Sequence, residues 1–514
     1  MTNGTSRMTQ AKIGELIHLS EPRIVFGYNQ PMADPRDGIT LFGPFSRDKI
    51  EGQINVGIIG PESPRRRLLT YLKTIHEPMF GVEPDVARPY FPGLEAAFNI
   101  SVNFNNIKEI DVPDQDINKY IHYTDGHQRV YNLVNLYADR LLQYQREEEM
   151  LVPVWFVIIP ESVYVHGRPK SKAAPSKTNV RIGLRKEDRS PKLPFLFEEL
   201  NRLKDAYLYE VHFHNQLKAK LLTEKIVTQI VRESKIAYHE LWTSASQIKA
   251  EEKFDTAKAW NISTSLYYKS GGLPWVLADA RERVSYLGLV FKKIDTEETN
   301  RNACCAAQMF LNSGDGLVFR GNIGPWYNPE TKQFHLSRDD ALQLISKALE
   351  TFKQKDHNHQ YPEEVFIHAR TYFDEDEWSG FSEAAKDKSR IIGIRITDQS
   401  GVKLYRDLSF PIPRGSALIL DESKAFLWTR GYIPRIRTVL GLETPNPLSI
   451  EIARGIGDIK SVCRDIMSLT KLNYNSCLIA DGLPVTLRFA NSIGEILTAG
   501  PERENEILPF KHYI

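Results

Sequence analysis

The sequence predicts an α/β protein, with two layered units behind a short strand-rich N-terminal segment. Three observations carry that prediction. The chain is 514 residues long, more than one hydrophobic core serves. Residues 151–160, LVPVWFVIIP, form a continuous apolar run closed by proline, the pattern of a strand covered on both faces of a parallel sheet. From Arg281 onward, an antiparallel meander gives way to helix, strand, helix, strand. That is the order of an RNase H-like fold. With 41% hydrophobic and 25% charged residues, the composition is that of a folded globular chain and not of a disordered one.

Taken in order, residues 1–60 contain EPRIVFGYNQ, DPRDGITLFGPF and INVGIIGP, which read as short extended runs punctuated by Gly and Pro. A Rossmann-like unit follows at 61–268. It has an amphipathic helix at 65–77, a long helical region at 116–148 and the apolar strand at 151–160. Ile158-Ile159-Pro160 marks the carboxyl end of that strand, where doubly wound sheets take their ligands. There is no GxGxxG, so a dinucleotide is not the expected ligand and no NAD is expected on this chain.

The RNase H-like unit spans 269–514. Its meander is read as 284–293, 305–321 and 333–337, with Gly314-Asp315-Gly316 as the hairpin turn. A helix at 338–355, strand at 364–371, helix at 376–385 and strand at 391–397 follow. The remainder is a hairpin at 417–429, a strand at 448–453 and helices at 458–470 and 486–498.

Other classes are excluded more quickly. No run of 18 apolar residues exists, and MTNGTSRMTQ has no apolar core like that of a signal peptide, so a cytoplasmic protein is expected. Cys304, Cys305, Cys463 and Cys477 show neither zinc nor disulfide spacing. Cys304-Cys305 reads as a pair of buried small hydrophobes. A net charge of +1 announces no nucleic-acid binder, but phosphate contacts need only local basic surface. Arg65-Arg66-Arg67 is one basic block, and 166–194 carries nine Lys/Arg against two acidic residues. The second block also holds four prolines and reads as an exposed loop, either a solubilising insertion or a contact for nucleic acid or a partner.

The chemistry concentrates in 209–234, YEVHFHNQLKAKLLTEKIVTQIVRES. His214 and Lys218, four apart, share one helix face, and Leu217, Leu221 and Leu222 make the opposite, apolar one. Gln229 and Arg232 read as the entry to a second short helix capped by Thr228. Imidazole, ammonium, amide and guanidinium could so converge on one anion beside helix N–H groups. Alone, this face also reads as a solvated amphipathic helix. A second stretch, AWNISTSLYYKSGGLPW at 259–275, adds Lys269 just before a Gly271-Gly272 stop.

With His214, Lys218, Gln229 and Lys269 in place, the chain resembles the Argonaute family, most closely its short prokaryotic members built from MID and PIWI domains. The resemblance runs from Glu21 to the C-terminus. It implies a MID domain at 61–268, whose His214, Lys218, Gln229 and Lys269 hold a guide 5′-phosphate, and a PIWI domain at 269–514. The segment before MID would open the protein, without the N and PAZ domains of long forms. In SLTKLNYNS, at 468–476, Lys471 and Asn475 correspond to residues contacting the guide backbone, as does Arg488. The carboxylate of Ile514 would share a Mg²⁺ with the guide phosphate, since two anions need a cation between them.

The resemblance also locates what is missing. An RNase H-type nuclease holds two divalent cations on carboxylates, yet the family's metal-binding positions read Val290, Ala369 and Asn491 here. No catalysis is therefore expected of this chain. The acidic run Asp374–Glu377 reads as a solvated helix N-terminus. RNACCAAQMFL and LTKLNYN are most similar to the Argonaute subunit of TIR-APAZ/Argonaute (SPARTA-type) defence systems. That likeness implies a guide RNA, a complementary single-stranded DNA target and an APAZ-containing partner. The resulting heterodimer would oligomerise on target binding and switch on NAD⁺ hydrolysis in the partner. The alternatives are a Sir2-APAZ or nuclease-APAZ partner, or an active guide-directed nuclease.

Overall fold

A computed structural model of the chain describes residues 14–46, 50, 52–82, 86–148, 150–175, 182–185, 189, 203–293, 303–310, 316–355, 358–398, 401–407, 410–440, 444–501 and 507–514. Two sheets organise them. The smaller has four parallel strands in the order Lys108–Asp111, Val56–Gly60, Val154–Ile159 and Thr228–Arg232. The apolar run supplies Val154–Ile159, with all six side chains buried. Alternation sends Phe156 and Ile158 into a core shared with Leu68 and Leu72 of helix Glu62–Thr74. Trp155 and Val157 go to the other face, against Leu133 and Tyr137 of helix Gly126–Glu147.

Several boundaries differ from the sequence reading. Val56–Gly60 lies inside this sheet, so the Rossmann-like unit begins ahead of residue 61. The expected single helical region at 116–148 is two helices, Asp114–Ile121 and Gly126–Glu147. The second starts afresh because the Asp125 carboxylate accepts from Gln128 N at 2.9 Å. DPRDGITLF, read as extended, folds as helix Pro35–Phe42. Asp34 caps it by accepting from Arg36 N at 3.0 Å, and Pro35 supplies a preset first turn.

The larger sheet has ten strands. Val284–Lys293, Ala303–Phe310 and Gly316–Gly324 form the meander. Glu364–Ala369 and Arg390–Thr397 add on in parallel. Leu448–Arg454, Lys424–Leu427 and Ser416–Ile419 extend that side antiparallel. This is the RNase H-like order, with two strands the sequence did not announce: Glu15–His18 at one edge and Ile507–Pro509 at the other. The third meander strand is Gly316–Gly324, because Gln333–Phe334 pairs instead with Tyr327–Asn328 in a separate small hairpin. The residues of the Gly314-Asp315 turn, residues 176–181, 186–188 and 190–194 of the basic stretch, and the side chains of Cys304 and Cys305 lie outside the described residues.

Two cores sandwich this sheet. Leu287, Leu289, Ile367 and Ala369 face helices Arg338–Lys355 and Glu375–Ala385. Tyr286, Val290 and Phe366 face the core that contains Ile493 and Ile496 of helix Ala490–Leu497. At Gly288 the main chain of Thr486 comes so close that an added Cβ would lie 2.0 Å from its carbonyl oxygen. Gly288→Ala is therefore expected to lower stability by about 1–3 kcal/mol in urea unfolding, the usual cost of overpacking a core. An unchanged midpoint would mean that the helical layer does not seat on this strand as described.

Candidate functional site

Helix Phe213–Leu221, strand Thr228–Arg232 and helix Asp255–Lys269 bring the four predicted residues to one place. Lys218 is buried, and its Nζ donates to the main-chain oxygen of Ile514 at 2.8 Å. Lys269, also buried, donates to Gln229 Oε1 at 2.7 Å and to the carbonyl of Thr228 at 3.1 Å. His214 is half-buried, and its Nδ1 lies 3.0 Å from Asn215 Oδ1.

The electrostatics say what this cluster lacks. Burial pushes Lys218 down to about 7. Burial, reinforced by Lys218, pushes Lys269 well below the ordinary lysine value. His214 is driven to about 3, first by burial and then by Lys218. Among the described residues, no Asp or Glu side chain offsets either ammonium, and the one main-chain oxygen that Lys218 meets is that of Ile514, the last residue of the sequence. Gathering cations out of water without a counter-charge is costly, and an anion seated among them would relieve it.

Sequence reasoning missed part of this site. Ser265 donates to Gln229 Oε1 at 2.7 Å and sits 3.3 Å from Asn475 Oδ1, so one relay joins the two halves of the chain. Gln229 lies on a strand, not at a helix entry, because Thr228–Arg232 pairs in parallel with Trp155–Ile159; Thr228 therefore caps nothing. Lys511 donates to the carbonyl of Lys269 at 3.3 Å, and His512 is buried with Lys218 among the charges that depress it. Only the apolar, aromatic ending of the sequence hinted at that segment; Tyr513 and Ile514 are indeed buried.

The position also differs from the expected one. The cluster sits at the amino end of Thr228–Arg232, whereas the carboxyl end of the sheet is filled by ion pairs. There Arg232 binds Glu161 at 2.6 Å, Ser234 donates to the same carboxylate at 2.8 Å, and Arg67 reaches Glu233 at 3.2 Å. Arg232 is thus outside the anion cluster. The rest of the basic block is neutralised as well: Arg65 pairs with Glu109 and Asp111, and Arg66 with Glu62.

Lys471 does not present its charge outward. Its buried ammonium pairs with Glu21 and donates to the carbonyls of Ala33 at 2.9 Å and Ile479 at 2.6 Å. It anchors the N-terminal segment, whereas the sequence reading expected it to face the guide backbone. Asn475 is exposed, and Arg488 is half-exposed beside Asp481 at 3.1 Å.

Val290 packs under helix Ala490–Leu497, where an added Cβ on Gly494 would lie 3.2 Å from it. Ala369 points into the opposite core. Strand alternation therefore makes His368, not Ala369, the residue that shares the face of Val290. His368 is buried, held neutral by burial with its value near 3, and bonded to Thr486 Oγ1 at 2.8 Å. Asn491 is exposed.

No protein-family model matches the chain, and none of the curated proteins does. Solved structures do. Clostridium butyricum Argonaute bound to a guide DNA and a 19-mer target DNA matches with a TM-score of 0.60 and 17% identity, over 95% of this chain and 54% of that one. Aquifex aeolicus Argonaute matches with a TM-score of 0.54 and 13% identity, over 98% and 57%. The chain has the MID–PIWI fold of Argonaute proteins. It spans about half the length of the Argonautes it matches. In Argonaute terms the smaller sheet belongs to MID and the larger to PIWI. No helix among the described residues is long and apolar enough to cross a membrane.

The depressed Lys218 has a measurable consequence. Between about 7 and 10.5 the unfolded chain holds a proton on Lys218 that the folded chain has released. Stability must therefore rise with pH across that window. In urea unfolding without added anion, the wild-type stability minus that of Lys218→Met should climb from pH 7 to 10. A flat difference would contradict the depression of Lys218 by burial.

Proposed function

We propose that this chain is a guide-dependent nucleic-acid sensor, and the observation that carries the reading is the buried cluster of Lys218, Lys269, His214 and Gln229, which no Asp or Glu side chain among the described residues neutralises. A terminal phosphate fits it in charge and donor number. Two ammonium groups, an amide and an imidazole exceed what one backbone phosphodiester can use, which favours a 5′ end over an internal contact. The guide is a small RNA and the target a complementary single-stranded DNA, read by base pairing while the protein holds backbone and end.

Mg²⁺ belongs to the same proposal. The main-chain oxygen of Ile514, set against Lys218, is a hard oxygen ligand facing the cluster. Mg²⁺ needs little more from protein, since it keeps waters and takes phosphate oxygens. Ile514 would hold the ion, which would supply charge neutralisation beside the guide phosphate.

The chain acts as a binder and not as a nuclease in this reading. The expected metal-binding positions carry aliphatic side chains at Val290 and Ala369 and an amide at Asn491. An effector is then supplied by a partner: an APAZ protein, of the TIR type on the sequence likeness of RNACCAAQMFL and LTKLNYN, with Sir2-APAZ or nuclease-APAZ as the alternative. Target pairing would shift the heterodimer towards an oligomer in which the partner hydrolyses NAD⁺, in defence against plasmids or phage.

The test is equilibrium binding of one short RNA carrying either a 5′-phosphate or a 5′-hydroxyl. Lys218→Ala and Lys269→Ala should each weaken the phosphorylated RNA by about tenfold to a hundredfold, the value of a charge-assisted contact of roughly 1.5–3 kcal/mol. The hydroxyl form should change little. Equal losses for both forms, or none, would remove the 5′-phosphate assignment. With Mg²⁺ or Mn²⁺ present, a matched DNA target should remain intact.

A further inference from the structure

On the PIWI face opposite Val290, three side chains from two segments converge: an imidazole and two carboxylates. His335 follows the small strand Gln333–Phe334, whereas Asp374 and Glu377 begin helix Glu375–Ala385. His335 Nδ1 lies 3.8 Å from Asp374 Oδ2 and 3.7 Å from Glu377 Oε2. Both are too long for a hydrogen bond, and Nδ1 is buried with no hydrogen-bond partner. The Glu377 side chain is only 2% exposed.

We propose that His335, Asp374 and Glu377 form a binding site for one Zn²⁺ ion. Each ligand has one atom held by protein and one left over. Asp374 Oδ1 accepts from Glu377 N at 2.8 Å, capping the helix and leaving Oδ2. Glu377 Oε1 accepts from Leu336 N at 3.3 Å, leaving Oε2. His335 Nε2 lies 3.1 Å from Gln333 Oε1, which accepts from Nε2–H and turns Nδ1 towards the two carboxylates, where a cation would take the place of the proton that Glu377 and Asp374 favour. This is how outer partners orient metal ligands.

The spacing suits an ion better than an ion pair. Zinc binds imidazole nitrogen and carboxylate oxygen at about 2.0–2.2 Å, so two tetrahedral ligands sit roughly 3.3–3.5 Å apart. The two gaps from His335 need to shrink by only a few tenths of an ångström, and all three ligand atoms lie within 4.8 Å of one another. A neutral imidazole and two carboxylates balance a dication. The ion would relieve the burial that pushes Glu377 upward. Asp374 is half-exposed, so a fourth position remains for water. The ion would pin the segment before helix Arg338–Lys355 to the start of helix Glu375–Ala385, away from the guide site and independent of how that site is read.

The test uses the full chain, stripped with chelator and titrated with Zn²⁺ by calorimetry and with Co²⁺ by visible absorption. One equivalent should bind, with Co²⁺ giving a d–d band. His335→Gln, Glu377→Gln and Asp374→Ser should each weaken binding at least about tenfold and abolish the band. Asp374→Ser keeps the helix cap, so its fold, checked by circular dichroism, should be unchanged. No uptake by the wild type, or equal uptake by the folded Asp374→Ser variant, would overturn the site.

Discussion

Everything at the junction of the two sheets depends on the burial of two ammonium groups that no Asp or Glu side chain among the described residues neutralises. Lys218 and Lys269 are almost wholly out of water. Each donates only to neutral amide oxygens or to the main chain at Ile514. A protein does not keep such a cluster for stability, because a buried pair of like charges works against folding. The arrangement makes sense if the missing negative charge arrives from outside. Lys218, near 7, then sits where an anion readily restores its proton.

The architecture holds the cluster open by using both halves. MID supplies the helix with Lys218 and the strand with Gln229. PIWI supplies the edge strand Ile507–Pro509, whose continuation carries Lys511 and Ile514 to the same place. The Gln229–Ser265–Asn475 relay crosses from one half to the other. A phosphate there would touch elements that lie almost 300 residues apart in sequence, as the 296-residue separation of Lys218 and Ile514 shows. Occupancy and the packing of MID on PIWI are therefore linked.

Much of this was legible in the chain. The apolar run at 151–160 and the meander followed by alternating helices and strands gave both sheets, because continuous burial and alternation leave distinct patterns. His214, Lys218, Gln229 and Lys269 were singled out by the resemblance to Argonautes, and the structure brings them to one place. What the sequence hid was tertiary. Lys471 has the look of a surface donor, yet Glu21, some 450 residues earlier in the chain, claims it. Ala369 and Val290 lie on opposite faces because strand phase, not spacing, decides direction. DPRDGITLF carries Gly and Pro like a loop, but Asp34 and Pro35 are a helix start once the chain behind them is helical. Ser265, Lys511 and His512 had no local pattern to betray them.

The most direct measurement is on nucleic acid that co-purifies with the protein from cells. It would be extracted, tested for RNase and DNase sensitivity, and 5′-labelled with and without prior phosphatase treatment. The account predicts short RNA that accepts label only after phosphatase. The absence of bound nucleic acid, or long heterogeneous fragments that label equally well either way, would contradict a site built for a 5′-phosphate.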